Sequence, residues 1–274
     1  MKRAGASTVG YSGSMNSTRV AALVSVATLA LSACAPILSR RVDGTSETSV
    51  QLHNHSLTLH LTKASTVPAR TGLLVYATGD GGWWGKDREL YTRLSRLGYP
   101  VVGFSAREYV RHLDADALLP GEVAADYAAI IRLSESYLGL PESTRTVLVG
   151  KSRGAGLAVA AAGSGALRQT LAGVLVLGLT GEEEYVHRLR RARPRQLVML
   201  QTYSYLPRLG DTPVAVIQST RDQYVPAAEA RRLFGADTPV RTLIPIDAED
   251  HNFGGALELV YGTMERSLEW ILRR

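Results

Sequence analysis

The sequence predicts an α/β fold with a mostly parallel central sheet flanked by helices on both faces. Strand and helix patterns alternate along the chain, as they do where helices cross over between parallel strands. The strand patterns are unbroken runs of Val, Leu and Ile, which are typical of strands covered on both faces. Hydrophobic residues make up 45% of the 274 residues and charged residues 20%, which fits a globular protein with a substantial core.

The predicted elements follow one another in a regular order. Leu57, Leu59 and Leu61 recur with a period of two and predict a half-buried strand. Apolar runs predict further strands at 73–77, 100–104, 146–150, 174–177, 214–217 and 240–246. Helical spacing predicts helices at 87–97, 121–138, 152–162, 227–234 and 255–272. Residues 181–210 are less regular, and no internal repeat is present.

The N-terminal segment predicts export and a lipid anchor. A short apolar run, Val20–Ala33, follows Arg19 and ends on Leu31-Ser32-Ala33-Cys34. This run is too short for a transmembrane helix but has the length of a signal-peptide core. The ending resembles a bacterial lipobox, in which the cysteine is lipidated and becomes the new N-terminus; the alternative is a plain secretory signal with a chance cysteine. We therefore expect a signal peptide at 1–33, a lipidated tether at 34–45 and a folded α/β domain at 46–274.

Further N-terminal residues indicate where the protein is located and at which methionine translation begins. Ala35, rather than Asp, follows Cys34, which favours the outer membrane. The predicted location is therefore the periplasmic side of the envelope, with the lipidated Cys34 in the membrane. Met15 would also begin a compact signal, so it is an alternative start to Met1.

Charge and composition exclude several classes of function. The formal charge is +6, and Lys2, Arg3 and Arg19 account for three of these charges, so the chain after Cys34 carries +3. Such a body can lie near anionic lipid or simply have a solvated surface. No Lys/Arg-rich stripe with interleaved aromatics predicts a nucleic-acid partner. A single cysteine forms no internal disulfide, and no metal motif or cofactor motif is present, so neither metal nor cofactor is predicted.

A nucleophile motif lies at Gly150-Lys151-Ser152-Arg153-Gly154, which fits G-x-S-x-G. The motif lies between a predicted strand and an Ala-rich predicted helix. This is the setting of a nucleophile elbow, a tight turn that exposes a serine hydroxyl above the sheet and needs small neighbours. Ser152 is the predicted nucleophile of an α/β-hydrolase fold, and the backbone N–H of Arg153 is a predicted oxyanion donor.

The other two members of a triad should follow in the order acid, then histidine. Asp222 comes just after a predicted strand, and His251 lies between the last strand and the closing helix. We predict that His251 is the general base and that Asp222 orients it. Asp247, Glu249 and Asp250 are alternative acids. The remaining histidines are interpreted as surface or half-buried residues: His53, His55, His60, His112 and His187.

The glycine-rich turn Gly79-Asp80-Gly81-Gly82-Trp83 predicts a second oxyanion donor, since glycines let backbone N–H groups approach a developing oxyanion. Gly81 is the predicted donor, and Asp80 and Trp83 are predicted substrate contacts. The alternative is an ordinary tight turn. A phosphate-binding loop is disfavoured because no Lys-Ser/Thr pair follows.

An acidic run, Glu182, Glu183 and Glu184, follows a predicted strand at the catalytic edge of the sheet. These carboxylates would bind a cationic group of the substrate, or else form a solvated helix N-terminus. Five arginines within 188–195 would meet lipid phosphates or keep a surface soluble.

The chain resembles the bacterial virulence-associated VirJ/AcvB family over roughly residues 70–190. The resemblance rests on Gly79–Trp83, on Leu97-Gly98-Tyr99-Pro100-Val101-Val102-Gly103, and on the elbow with Leu175-Val176-Leu177-Gly178-Leu179 after it. It implies a periplasmic or exported α/β-hydrolase, linked to hydrolysis of the aminoacyl ester of lysyl-phosphatidylglycerol. Lys151 and Arg153 depart from the family's usual Gly-Tyr-Ser-Phe-Gly elbow.

The sequence as a whole predicts an exported, lipid-anchored serine hydrolase that cleaves a small-molecule or lipid ester through an acyl-enzyme. One alternative is a general carboxylesterase or lipase. The other is a non-catalytic secretion-accessory protein that binds its partner on a hydrolase scaffold. The sequence does not fix the oligomeric state.

Overall fold

A computed structural model describes residues 44–53, 55–64, 70–111, 119–187 and 196–273. These residues form a compact unit that begins at Gly44. The predicted signal peptide, Cys34, most of the predicted tether, His112 and the arginine-rich run lie outside the described residues. Among the residues described, no helix is both long enough and apolar enough to span a membrane.

Eight of the described strands form one sheet, in the order β1-β2-β4-β3-β5-β6-β9-β10. The pairs β1–β2 and β2–β4 are antiparallel, and the remaining neighbours are parallel. β7 and β8 form a separate antiparallel hairpin. The strands are β1 Thr45–Leu52, β2 His55–Thr62, β3 Leu73–Ala77, β4 Val101–Phe104, β5 Thr146–Lys151, β6 Leu171–Leu177, β7 Glu182–His187, β8 Gln196–Gln201, β9 Val214–Ser219 and β10 Arg241–Ile246.

The helices connect the parallel strands and cover the sheet. They are α1 Gly85–Ser95, α2 Ala106–Arg111, α3 Pro120–Leu138, α4 Arg153–Gly163, α5 Ala227–Phe234 and α6 Leu257–Leu272, with a 3₁₀ helix at Thr202–Leu209. Leu73, Val75 and Ala77 of β3 belong to the same buried cluster as residues of α3 and α4. Alternate residues of a strand point to opposite faces, and the Tyr76 hydroxyl accordingly reaches α1 on the other face. The mostly parallel sheet with flanking helices is the one that the sequence predicts.

The structure adds elements that the sequence pattern does not reveal. β1 has the polar sequence TSETSVQL, and only Val50 and Leu52 are buried, because it is an edge strand that packs on one side. The irregular region 181–210 contains the β7–β8 hairpin and the 3₁₀ helix. The acidic run Glu182–Glu184 therefore lies on a strand, and the helix N-terminus considered for it is wrong.

Candidate active site

Ser152 lies between β5 and α4 at the carboxyl edge of the sheet, with φ 51° and ψ −118°. This left-handed conformation is unusual for a residue with a side chain. A Cβ added to Gly150 would lie 2.2 Å from the carbonyl oxygen of Gly154, and one added to Gly154 would lie 2.2 Å from that of Ala77. The motif's glycines are therefore required by the close contact between β3, β5 and α4. The Ser152 N–H donates to the Leu177 carbonyl at 2.9 Å, which anchors the turn to β6.

The imidazole of His251 lies beside the carboxylate of Asp222, with Nδ1 2.6 Å from Oδ2. Asp222 is only 1% exposed, so its charge depends on hydrogen bonds rather than on water. Its Oδ1 accepts the backbone N–H groups of Tyr224 and Val225 at 2.8 and 3.3 Å. Its Oδ2 also accepts the Gln218 amide at 3.0 Å. These donors fix the orientation of the carboxylate toward the imidazole.

The other ring nitrogen of His251, Nε2, is buried and forms no hydrogen bond with any of the described residues. The backbone N–H of His251 donates to Gln223 Oε1 at 3.0 Å, and the Tyr224 ring packs edge-on against the imidazole at 4.8 Å. His251 and Ser152 line the same cleft.

The alternative acids lie elsewhere. The Asp247 carboxylate is exposed and pairs with Arg221 at 3.3 Å. Asp250 accepts the Gly254 N–H at 2.9 Å, and this bond lowers the pKa of Asp250. The Glu249 carboxylate packs against Gly254 and Gly255. Asp222 is therefore the carboxylate that bonds to the His251 ring.

The cleft has a volume of about 950 Å³. Its lining includes seven predicted site residues: Asp80, Gly81, Ser152, Arg153, Glu182, Glu183 and His251. Trp83 does not line the cleft, because its ring stacks on the His60 ring of β2 at 3.8 Å. Glu184 lies on β7 next to Glu183. The lining also contains residues that were not predicted to belong to the site: Asp87, Lys151, Thr180, Gln223, Tyr224 and Asn252.

Arg153 lies on the acidic side of the cleft. Its Nε is 2.6 Å from Asp80 Oδ1 and 3.9 Å from Glu183 Oε2. Glu183 is buried, and burial raises the pKa of its carboxyl although Thr180 donates a hydrogen bond to it at 2.6 Å. The exposed Glu182 accepts the Gln201 amide at 2.6 Å. Among the residues that the structure describes, this side of the cleft therefore carries more carboxylates than cations.

The floor of the cleft contains a buried ion pair. Lys151 Nζ lies 3.2 Å from Asp87 Oδ2, and both side chains are 7% exposed. Asp87 Oδ1 accepts the Gly79 N–H at 2.8 Å and the Tyr76 hydroxyl at 2.9 Å. Burial, together with the neighbouring Asp87 charge, raises the pKa of Tyr76 well above its ordinary value, so the phenol stays a donor.

The described residues contain no cluster of three or more His, Cys, Asp or Glu side chains that could hold a metal ion. What they bring together is a serine in a strained turn, an imidazole oriented by a buried carboxylate, and a glycine-rich loop beside the serine. A Cβ added to Gly79 would lie 3.4 Å from Ser152 Cβ, which places that loop directly against the elbow.

Residues 72–190 match the family model described as bacterial virulence protein (VirJ). This segment, called the VirJ segment below, is similar to that family. The VirJ segment runs from the start of β3 through the elbow and into the β7–β8 hairpin. The family resemblance predicted from the sequence is thereby confirmed. A search of curated proteins finds no match to the chain.

Solved structures with the same fold extend over nearly the whole described region. Est1E from Butyrivibrio proteoclasticus is 13% identical with a TM-score of 0.61, and the match covers 83% of this chain and 99% of Est1E. An alpha-beta serine hydrolase homologue from Coxiella burnetii is 18% identical with a TM-score of 0.59, covering 81% and 97%. Esterase 2 from Thermogutta terrifontis is 16% identical with a TM-score of 0.58, covering 85% and 95%. The fold of the VirJ segment and its flanking strands is therefore the α/β-hydrolase fold.

Proposed function

We propose that the protein is a serine ester hydrolase in which Ser152 is the nucleophile, His251 the general base and Asp222 the residue that orients the base. The observation that supports it most strongly is the 2.6 Å contact between His251 Nδ1 and Asp222 Oδ2. This contact orients the imidazole through Nδ1. It leaves Nε2, which has no partner among the described residues, available to act as a base in the cleft that Ser152 lines.

The proposed reaction proceeds through an acyl-enzyme. His251 Nε2 takes the proton of the Ser152 hydroxyl as Oγ attacks the ester carbonyl carbon. The tetrahedral intermediate collapses, the bond to the leaving oxygen breaks, and the imidazolium returns the proton to that oxygen. Water, activated by the same imidazole, then cleaves the acyl-enzyme and regenerates Ser152. Throughout, Asp222 keeps the proton on Nδ1 and stabilises the imidazolium.

Two backbone N–H groups would bind the oxyanion. Arg153 is the first residue of α4, so its N–H points out of the helix N-terminus. In the loop, the N–H groups of Gly79 and Gly82 bond to Asp87 and to the Gly79 carbonyl. Those of Asp80 and Gly81 donate to no described residue, so Gly81 remains the proposed donor with Asp80 as its neighbour.

The proposed substrate is an ester that carries a cationic group, specifically the aminoacyl ester of lysyl-phosphatidylglycerol. The acidic side of the cleft, with Asp80, Glu182 and Glu183, supports a substrate ammonium group. The match of residues 72–190 to the VirJ family model supports the same substrate class. A simple acyl ester is the competing substrate.

Lipidation of Cys34 is proposed to hold the enzyme at the periplasmic side of the envelope, close to a lipid substrate. Fractionation of cells expressing Cys34→Ser tests it. We expect this variant to move from the membrane fraction to the soluble periplasmic fraction, whereas an unchanged distribution would contradict the anchor.

The proposed nucleophile is tested by labelling with a fluorophosphonate probe. We expect wild type and Ser204→Ala, which removes an exposed serine hydroxyl, to be labelled equally. Ser152→Ala should not be labelled. Labelling that survives in Ser152→Ala, or no labelling of wild type, would refute the assignment.

The substrate is tested separately with vesicles containing lysyl-phosphatidylglycerol and with a panel of chromogenic short-acyl esters. Release of free lysine by wild type and not by Ser152→Ala would support the aminoacyl ester. Rapid turnover of short-acyl esters without lysine release would instead identify a general carboxylesterase.

A further inference from the structure

Asp87 is a buried carboxylate that joins three separate parts of the active-site floor. It lies in the first turn of α1 and accepts hydrogen bonds from Tyr76 on β3, from the backbone of Gly79 and from the ammonium of Lys151 in the elbow. The sequence gives no reason to expect this contact, since Asp87 and Lys151 are 64 residues apart.

A purely stabilising role accounts poorly for this arrangement. Two charges removed from water lose solvation that their mutual attraction only partly offsets, so apolar residues of similar volume are often at least as stable. Asp87 and Lys151 nevertheless both line the cleft. The pair connects the glycine loop, through the Gly79 N–H, to the elbow, through Lys151.

The hydrogen bond to Gly79 has a direct geometric consequence. It directs that N–H toward α1, whereas the next two N–H groups, of Asp80 and Gly81, bond to no described residue. Gly79 itself lies against Ser152, at 3.4 Å between its notional Cβ and the serine Cβ. The orientation of the proposed oxyanion donors relative to Ser152 is therefore set through Asp87.

We infer that Asp87 is a positioning residue for the reaction: it holds the glycine loop by Gly79 and the elbow by Lys151, so that the oxyanion donors face Ser152. The inference rests on the proposed function, because it requires Ser152 to be the nucleophile. It predicts that loss of Asp87 slows attack by Ser152 and leaves initial binding in the cleft nearly unchanged.

The test uses the kinetics of fluorophosphonate labelling on the full chain, which separate the limiting rate from the half-saturating probe concentration. We expect Asp87→Ala to lower the limiting rate by about 10²-fold, the effect of losing one oxyanion donor. The half-saturating concentration should change by less than about 3-fold, since ground-state binding is retained. A folded Asp87→Ala with an unchanged limiting rate would overturn the inference.

A second pair of variants covers the case in which Asp87→Ala does not fold. Asp87→Asn keeps an oxygen for Gly79 and Tyr76 but leaves the Lys151 charge unpaired, and we expect the limiting rate to fall by about 10-fold. Adding Lys151→Met removes that charge but does not restore the lost link between the glycine loop and the elbow, so the double variant should stay about 10-fold slower than wild type. An unchanged rate in Asp87→Asn, or a wild-type rate in the double variant, would overturn the inference.

Asp126→Asn provides the matched control. Asp126 is also a buried carboxylate and accepts the Tyr109 hydroxyl at 2.7 Å, but it lies outside the cleft lining. We expect it to lower Tm without changing the limiting rate. An equal loss of rate in Asp126→Asn would show that any buried carboxylate has this effect. If wild type itself is not labelled at Ser152, the proposed function fails instead, and the two failures are distinguishable.

Discussion

Asp222→Asn tests the proposed triad more sharply than removal of the whole side chain. The two backbone N–H groups of Tyr224 and Val225 bond to Oδ1, so the asparagine oxygen is expected to stay on that side. The amide NH₂ then occupies the position of Oδ2, where it faces the Gln218 amide and His251 Nδ1. A donor now faces a donor, so the imidazole can keep this contact only by moving its proton from Nδ1 to Nε2.

The wrong tautomer determines the size of the effect. With the proton on Nε2, the imidazole cannot accept the Ser152 proton, and the imidazolium loses its counter-charge. The same substitution in serine proteases lowers kcat by about 10⁴ through this change of tautomer. We expect a similar loss here, which corresponds to about 5 kcal/mol in the activation free energy. The fold should survive, because the volume of the side chain is unchanged and both backbone donors keep their acceptor.

The assay is the limiting rate of fluorophosphonate labelling, with thermal unfolding as a check on folding. Asp247→Asn and Asp250→Asn are the matched controls, since each removes one charge from an alternative acid. We expect both to stay within about 3-fold of wild type. The role of Asp222 in the triad is refuted if a folded Asp222→Asn retains more than a tenth of the wild-type rate, or if a control loses as much as Asp222→Asn.

Two further predictions concern stability. Ser152→Gly should unfold at a higher temperature than Ser152→Ala, because both lack the hydroxyl but only alanine keeps a Cβ at φ 51°. Such a conformation costs about 1–3 kcal/mol, which corresponds to a difference of several degrees in Tm. Equal Tm values would contradict this prediction. Burial raises the pKa of the Glu183 carboxyl above its ordinary value of 4.5. Between 4.5 and the pKa in the folded state, the folded protein therefore binds more protons than the unfolded chain. Glu183 thus lowers the free energy of unfolding as pH rises through that window. Glu183→Gln should therefore gain more Tm relative to wild type at pH 8 than at pH 4, and a gain that is larger at pH 4 would contradict it.

Short-range patterns account for what the sequence predicts well. The run Thr146–Gly150, followed by a small-residue turn and an Ala-rich helix, is strand β5, the elbow and α4 almost to the residue. Asp222 and His251 could be placed because each follows a strand whose carboxyl end lies at the catalytic edge. In a parallel sheet these ends meet at one edge, so the order of the chain was enough to bring the residues together.

Contacts across the sheet could not be predicted in the same way. Asp87 reads as an ordinary acid in the first turn of a helix, since its partner Lys151 is fixed only by the adjacency of β3 and β5. Trp83 was expected at the substrate, but it stacks on His60, because β2 pairs with β4 and places that ring beside the loop. The strands β7 and β8 lack a strong alternating pattern and are separated in the sequence by the arginine-rich run, so their pairing was not visible in the residues.

The two cations that flank Ser152 differ in what they do for the site. Arg153 pairs with Asp80, whose side chain is 63% exposed, and an exposed pair of this kind contributes at most about 1 kcal/mol. Lys151 pairs with Asp87 in a buried position, where loss of one partner leaves an uncompensated charge and costs about 3–5 kcal/mol. The outer pair could therefore open for the proposed cationic substrate at little cost, whereas the inner pair is inferred to keep the elbow and the glycine loop fixed. Both carboxylates come from residues 80–87, so one short segment supplies an adjustable contact at the mouth of the cleft and a rigid one at its floor.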